Sequence, residues 1–342
     1  MRIGMRGSVR ASAGIAVFTA CIGGACFVPG NLQAQTVGRA ADGWPTRPIR
    51  LIVPFPPGGS NDILGRIVAS RLGERLGQQV VVDNRGGADG IIGADIVAKA
   101  QPDGYTLLVI STSFAINPST HRIPYDPVKD FAAVTRIGSG PTVISAHPSF
   151  AAKDIRDLVA MAKAKPGQIA YASSGLGGVI HLTGELFNLS AGVKLLHVPY
   201  RGGGPAAIDV VAGQVPLLIS TVASGLAQLK AGKLKPLGVG SLKRAQLLPD
   251  VPTIAESGVP GFDASVWWGI LAPAKSPRVL LERIDAETGR LIAQPETRER
   301  LIAAGADELD RAGPEAFGRL VASEVDKWSK VAKQAGLKPG GQ

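Results

Sequence analysis

The chain has 342 residues, of which 45% are hydrophobic and 19% are charged, and its formal net charge at pH 7 is +10. This composition excludes a disordered chain, and the length suits two lobes better than a single core. Lysine and arginine are neither clustered nor interleaved with aromatic residues, which argues against nucleic-acid binding, whereas a diffuse positive field favours small anions.

Residues 1–34 have the pattern of a secretory signal peptide. Three arginines precede an apolar run over residues 11–28, and Ala34 offers a small residue for cleavage. A membrane anchor and lipidation at Cys21 are the alternatives, but the run is rich in glycine and alanine and short for a membrane span. Removal of three arginines and no acids lowers the charge from +10 to +7. Because Cys21 and Cys26 both lie in the leader, the mature chain is predicted to have neither disulfides nor thiolate chemistry.

A short polar linker, residues 35–43, leads to the unit around which the chain is organised. Residues 49–53 are apolar except for Arg50, as in a buried strand, and a bend rich in proline and glycine follows over 54–59. Residues 60–62 are all good N-cap residues, and the helix after them is predicted to bury Ile63 on its apolar face. The free N–H groups at such a helix start, beside a glycine loop, predict an anion-binding site.

The next elements predict a parallel sheet. Strands are expected at residues 79–82 and 105–110, with a helix over 91–100 between them. Ligands of such sheets lie beyond the carboxyl ends of the strands. The loops at 55–60 and 111–114 both occupy such ends, so they are expected to converge on one site.

The opening pattern then recurs in different residues. Residues 117–130 contain three prolines and are predicted to be irregular, and 131–146 is predicted to be a strand that crosses into a second lobe. A short strand at 169–172, a glycine bend at 173–178 and a helix over 179–189 follow. A second strand–glycine–helix unit is therefore expected to face the first across a cleft.

Further short strands are predicted at 195–198, 216–219 and 236–240, and an apolar strand at 266–271 is predicted to return the chain to the first lobe. The residues after 278 are predicted to be alternating helices.

Enzyme chemistry finds little support in the sequence. None of the four histidines pairs at metal-ligand spacing, and G-x-S-x-G, dinucleotide and P-loop motifs are missing, so neither a metal nor a cofactor is predicted. His181 lies near the second glycine bend, either as a hydrogen-bonded structural residue or as a ligand contact. Asp62 is interpreted as a helix cap or as a partner for a ligand ammonium, and Arg201, next to Tyr200, as an anion partner or an ordinary surface residue.

Several ordered motifs, among them PFPPGGSND, ASSGLGGVIHLTGELF, HVPYRGGGPA and LPDVPTIAESG, resemble one family. It is the extracytoplasmic solute-binding receptors of tripartite tricarboxylate transporters, the TctC-like or Bug receptors. The resemblance covers essentially the whole chain after the leader.

The resemblance implies an α/β, two-lobe periplasmic binding protein fold of type II, with mixed, mostly parallel sheets, an interlobe cleft and a hinge. Lobe 1 is expected to comprise residues 44–141 and 265–342, and lobe 2 residues 142–264. The implied function is capture of a small carboxylate in the periplasm and its delivery to membrane permease subunits by a monomeric receptor. An exported enzyme acting on a carboxylated molecule and a sensing partner of a membrane signalling protein are the alternatives.

The resemblance implies that the first loop holds one carboxylate, partly through ordered waters, and that the second helix start grips another polar group. Where relatives commonly carry Asp-Asn, this chain has Ser220-Thr221, which weakens the case for an amino-acid ligand. The predicted ligand-binding residues are Phe55, Pro57, Gly58, Gly59, Ser60, Asp62, Thr112, Ser113, Phe114, Ser173, Ser174, Gly175, Gly177, His181, Tyr200 and Ser220.

Overall fold

A computed structural model describes residues 43–340. The predicted signal peptide, its cleavage point near Ala34 and the lipidation alternative at Cys21 lie outside the described residues. Within the described part of the chain, none of the helices is long and apolar enough to cross a membrane.

The described chain forms ten strands and ten α-helices. The strands are β1 (Ile49–Val53), β2 (Val80–Asn84), β3 (Thr106–Ser111), β4 (Phe131–Gly140), β5 (Thr142–Ala146), β6 (Ala170–Ser173), β7 (Leu196–Pro199), β8 (Leu217–Thr221), β9 (Lys235–Val239) and β10 (Val266–Pro273). The helices are α1 (Ser60–Leu76), α2 (Ile91–Ala98), α3 (Thr112–Thr120), α4 (Ile155–Ala164), α5 (Val179–Ala191), α6 (Gly203–Val211), α7 (Val222–Lys230), α8 (Arg278–Ile292), α9 (Pro295–Ala303) and α10 (Pro314–Gln334).

The strands form two five-stranded sheets with equivalent strand orders, β2-β1-β3-β10-β4 and β7-β6-β8-β5-β9. In each sheet three strands run parallel, and the fourth, β10 or β5, is antiparallel to both of its neighbours. In each sheet, the reversed strand is the first strand that the chain forms after it crosses from the other sheet. This is the α/β architecture of mixed, mostly parallel sheets that was expected.

The crossing between the sheets differs from the predicted single strand over 131–146. Pro141 separates β4 from β5, and β4 pairs in the first sheet whereas β5 pairs in the second. Proline lacks the N–H that a continuous ladder needs, so the break falls there. Residues 117–130 were expected to be irregular, but α3 extends to Thr120 and contains Pro118.

The burial of α1 also differs in detail from the predicted pattern. Leu64, Val68 and Leu72 are fully buried, but Ile63 is 42% exposed. Asn61 is buried instead of Ile63, and its amide donates to the Ser111 hydroxyl at the end of β3 at 3.3 Å.

Candidate functional site

A cleft with a volume of about 310 Å³ lies between the carboxyl-terminal ends of the strands in the two sheets. The first sheet contributes the loop after β1, the start of α1 and the start of α3, and the second contributes the start of α5 and the end of β8. Strand β10 supplies two further side chains. The lining residues are Phe55, Pro56, Pro57, Gly59, Ser60, Asn61, Ser111, Ser113, Val179, Ile180, Thr221, Val266 and Trp268.

The first glycine loop brings the start of α1 to the cleft. Gly58 has a φ of +87°, which glycine adopts without strain, and Gly59 is the N-cap in an extended conformation. No side chain caps the helix, so the N–H groups of its first turn remain available to a ligand. Of the residues predicted here, Phe55, Pro57, Gly59 and Ser60 line the cleft, and Gly58 is exposed beside it.

Asp62 lies behind the first loop and not in the cleft wall. Its carboxylate is 3% exposed and accepts hydrogen bonds from the Gly58 N–H, the Arg66 guanidinium and the Asn84 amide. Burial raises the pKa of Asp62, but the hydrogen bonds from Arg66, Gly58 and Asn84 outweigh it and hold the pKa below its usual value. The ionised carboxylate therefore fixes the loop, and it is already engaged by three donors of the protein.

The three residues predicted to bind ligand after β3 lie in different environments. Ser113 lines the cleft, but the Thr112 hydroxyl is buried and accepts the Trp267 N–H at 2.9 Å. Phe114 packs in the core, with its ring centroid 5.1 Å from that of Phe131. Successive side chains at a helix start point in different directions, so only one of the three reaches the cleft.

The second glycine loop is built like the first. Gly177 has a φ of +78°, Gly178 is an extended N-cap, and the third residue of α5, His181, accepts the N–H of Gly177 at 3.0 Å. Asp62 accepts the Gly58 N–H from the same position of α1. Both helix starts thus contribute to one cleft, and each is fixed from behind by the side chain at its third residue.

The polar groups of the second loop bond mainly to each other. The Ser173 hydroxyl lies 2.6 Å from His197 Nε2 and accepts the Gly175 N–H, and Ser173 and Gly177 are both buried. Ser174 is exposed. None of the four residues predicted in this loop, Ser173, Ser174, Gly175 and Gly177, is part of the cleft lining, and Val179 and Ile180 take that place.

His181 and His197 form a stacked pair beneath the second loop, with ring centroids 3.8 Å apart. Burial lowers the pKa of His181 to about 4, and burial together with the charge of His181 lowers the pKa of His197 to about 3. Both rings are therefore neutral near pH 7. Because Nδ1 of His181 accepts the Gly177 N–H, its ring proton lies on Nε2. The structural interpretation of His181 fits this arrangement.

The remaining predicted residues, Tyr200 and Ser220, are not part of the cleft lining. Tyr200 donates its hydroxyl to Asp209 at 2.8 Å, and Ser220 is 7% exposed and donates to the Thr221 carbonyl. Thr221 lines the cleft and also caps α7 by accepting the Ser224 N–H.

Sequence reasoning missed eight lining residues. Asn61, Ile180 and Thr221 each adjoin a predicted residue, and Val179 lies two positions from both Gly177 and His181. The alternation of side chains along β10 was the available signal for Val266 and Trp268, which share one face of the strand. The indole N–H of Trp268 is buried and has no hydrogen-bond acceptor within residues 43–340. The full missed set is Pro56, Asn61, Ser111, Val179, Ile180, Thr221, Val266 and Trp268.

The electrostatics of the cleft come from the backbone. No acidic or basic side chain is among the lining residues of the described chain. The uncapped starts of α1 and α5 each carry the equivalent of roughly half a positive charge. Such a site can hold an anion without an ion pair. No group of three or more His, Cys, Asp or Glu within residues 43–340 could hold a metal ion.

Comparison with known proteins adds a family relationship. Residues 64–337 match the tripartite tricarboxylate transporter family receptor, TctC. A Pseudomonas sp. protein in the tcbD–tcbE intergenic region is 43% identical over 87% of this chain and 89% of its own length. A solved R. palustris protein with adipate is 36% identical, with a TM-score of 0.76 over 86% of this chain and 99% of its own. The periplasmic binding protein BugD is also 36% identical, with a TM-score of 0.73 over 86% of this chain and 100% of its own.

Proposed function

Because the chain belongs to the tripartite tricarboxylate transporter receptor family, we propose that it captures a small carboxylate in the periplasm and delivers it to membrane permease subunits. The leader is cleaved near Ala34, and the mature receptor acts as a monomer, without a cofactor and without catalysing a reaction. A solved relative holds adipate, which supports a carboxylate as the ligand class.

The start of α1 in the cleft is the observation that carries this proposal. Its N-cap, Gly59, has no side chain to occupy the first-turn N–H groups, and Ser60 and Asn61 add polar side chains beside them. A carboxylate accepts such hydrogen bonds with both oxygens, and the helix dipole adds a favourable charge interaction. The predicted ligand residues of the first loop belong to this anion site.

Ligand capture requires the two lobes, residues 44–141 with 265–342 and residues 142–264, to close on each other. The connections at Pro141 and Ser265 lie where the chain passes between the sheets, so they are suited to act as the hinge. A ligand whose carboxylate contacts α1 while the rest of it contacts α5 binds the closed form better than the open form, and this differential affinity drives closure.

The cleft is poorly equipped for catalysis. The lining side chains offer hydroxyls, one amide and an indole, but no general base, and His181 is occupied by Gly177. A receptor of this kind returns its ligand unchanged.

The test is binding by the protein purified from the periplasm. We expect carboxylates from a panel to raise the melting temperature and to bind in calorimetry with one ligand per chain, because a ligand of the native state stabilises it. The matching uncharged amides serve as controls and are expected to have no effect. The proposal fails if no carboxylate stabilises the protein more than its amide, or if the ligand is recovered chemically altered. Mass spectrometry of the same sample checks cleavage near Ala34.

A further inference from the structure

The two helix starts that meet in the cleft are equivalent in backbone but opposite in polarity. Gly58 and Gly59 correspond to Gly177 and Gly178, each pair with a positive φ followed by an extended N-cap. The next two residues face the cleft in both cases. They are Ser60 and Asn61 on α1, and Val179 and Ile180 on α5.

The apolar wall continues beyond α5. Val266 and Trp268 lie on one face of β10 and line the same cleft, and both are at least 95% buried. The ring of Phe55 and the prolines of the first loop add further apolar surface. A ligand bound with one end at α1 therefore places the rest of its structure against hydrocarbon and an aromatic ring.

In the second loop, three hydrogen-bonding groups that precede α5 are already bonded within the protein. The N–H of Gly177 is taken by His181, the N–H of Gly175 by Ser173, and the Ser173 hydroxyl by His197. By contrast, Ser60 and Ser113 line the cleft, and the described structure shows no protein partner for either hydroxyl. Both helix starts lack a side-chain cap, but only α1 has polar side chains, Ser60 and Asn61, beside its first-turn N–H groups. The start of α1 is therefore the better-equipped anion position.

The volume of the cleft limits the size of the ligand. A volume of about 310 Å³ is at the lower end of the roughly 300–1,000 Å³ that small-molecule sites occupy. The ligand that it encloses is therefore small.

We propose that the ligand class is a small monocarboxylate with an apolar aliphatic or aromatic body, without an amine and without a second carboxylate. This inference rests on the proposed receptor function and narrows it. A second carboxylate would lose its hydration against Val179, Ile180 and Val266, where the indole N–H of Trp268 is a single donor and no ion pair forms. An ammonium would likewise find no carboxylate among the lining residues of the described chain.

The test compares ligands that differ only at the far end. Hexanoate, adipate and 6-aminohexanoate share a six-carbon chain and end in a methyl, a carboxylate and an ammonium group; benzoate, terephthalate and 4-(aminomethyl)benzoate form an aromatic series. We expect the monocarboxylate of at least one series to bind at least about tenfold more tightly than both charged partners in calorimetry, because burial favours its uncharged end.

The outcomes separate this inference from the proposed function. If neither hexanoate nor benzoate binds at least about tenfold more tightly than its dicarboxylate partner, while some carboxylate of the panel binds, the inference is overturned and the carboxylate receptor stands. The same holds for a preference for either amine. If no carboxylate of the panel binds, the receptor function itself fails, and the inference fails with it.

A pair of isosteric variants tests whether α5 is responsible for the preference for hexanoate over adipate. Val179→Thr adds one hydroxyl to the apolar wall and is expected to reduce the preference for hexanoate over adipate by threefold or more. Val128→Thr makes the same change at a residue that is 49% exposed and is not part of the cleft lining, and it is expected to leave the ratio unchanged. An unchanged ratio in Val179→Thr, with wild-type melting temperature, would contradict the role of α5 as the wall that rejects the second charge.

Discussion

The two glycine loops differ most in the side chain that fixes them. In the first loop an ionised carboxylate, Asp62, holds the Gly58 N–H and is itself held by Arg66, one turn further along α1. In the second, a neutral imidazole, His181, holds the Gly177 N–H, and Glu185 lies one turn further, 3.7 Å from Nε2. The same backbone conformation is thus held by a carboxylate side chain in one loop and by a neutral imidazole in the other.

A helix start that follows a glycine bend supplies backbone N–H groups but does not by itself form a binding site. In both loops the donor nearest the bend is used by the protein itself, so the ligand meets the residues that follow the N-cap. Those residues are polar in α1 and apolar in α5. Three experiments test whether the two helix starts differ in this way.

The largest effect is expected from placing a carboxylate at each N-cap. Gly59 and Gly178 are both extended, and an added Cβ would meet nothing closer than 3.8 Å at Gly59 and nothing within 4 Å at Gly178. Gly59→Asp is expected to weaken carboxylate binding a thousandfold or more, about 4 kcal/mol, because the new side chain takes the free N–H groups and repels the ligand. Gly178→Asp is expected to weaken it less than tenfold.

Calorimetry on the two variants measures this difference. Gly59→Asn and Gly178→Asn are the controls for shape, because asparagine caps a helix without adding charge. A larger loss in Gly178→Asp than in Gly59→Asp would reverse the assignment of the anion position.

A smaller effect is expected from acid. The unfolded chain has ordinary histidines with a pKa near 6.5, whereas the pKa of His181 is about 4 in the folded protein. Between these values the unfolded state binds more protons, so the folded state loses stability as the pH falls from 6.5 to 4, by on the order of 3 kcal/mol. The pKa of Asp62 lies below its usual value, so the first loop keeps its ionised carboxylate in this range.

Urea unfolding at several pH values checks this, with His181→Asn as the matched variant. Asparagine can accept the Gly177 N–H but does not titrate, so its loss of stability over the same range is expected to be smaller. An equal loss in the variant would assign the pH dependence to other groups, His197 first among them.

The smallest of the three effects concerns the glycine at the sixth residue of each helix. An added methyl at Gly184 would overlap the ring of Tyr171, whose hydroxyl bonds to the His181 carbonyl and to Glu185. Gly184→Ala is expected to destabilise the protein by about 2 kcal/mol, because overpacking outweighs the gain in helix propensity. Gly65→Ala would place the methyl 3.1 Å from Val53 Cγ2 and 3.3 Å from Val109 Cγ2, so each contact requires a shift of only a few tenths of an ångström. Its stability is expected to stay within about 0.5 kcal/mol of wild type.

Denaturant midpoints at constant slope compare the two alanine variants. If Gly65→Ala proves the more destabilising, the first helix and not the second is the more tightly packed against its sheet.

Much of the fold could be predicted because local signals agreed with each other. The apolar run of β1, the proline–glycine bend and the pattern of α1 all predicted the same unit, and the recurrence at β6 and α5 was predicted in the same way. The strand break at Pro141 was missed although proline signalled it, because the apolar residues continue on both sides. Helix α3 was missed because Pro118 suggested irregular structure.

The cleft could be predicted only in part. The first loop was identified from glycine and N-cap residues, and most of its predicted members line the cleft. The second loop has the same signals, but whether Ser173 turns towards a ligand or towards His197 depends on a strand that follows more than twenty residues later. Trp268 enters the cleft from a strand that local patterns connect to neither loop.

The strand–glycine–helix units, their order and the family can be read from the sequence, because each depends on neighbouring residues whose conformational preferences act over a few positions. Which side chains those units present to each other depends on the tertiary structure. Burial and hydrogen bonding between distant segments turned Asp62 and His181 inward, and they left Ser60 and Asn61 opposite Val179 and Ile180. The polar and the apolar residues face each other because segments more than a hundred positions apart pack together, and no local sequence pattern predicts such packing.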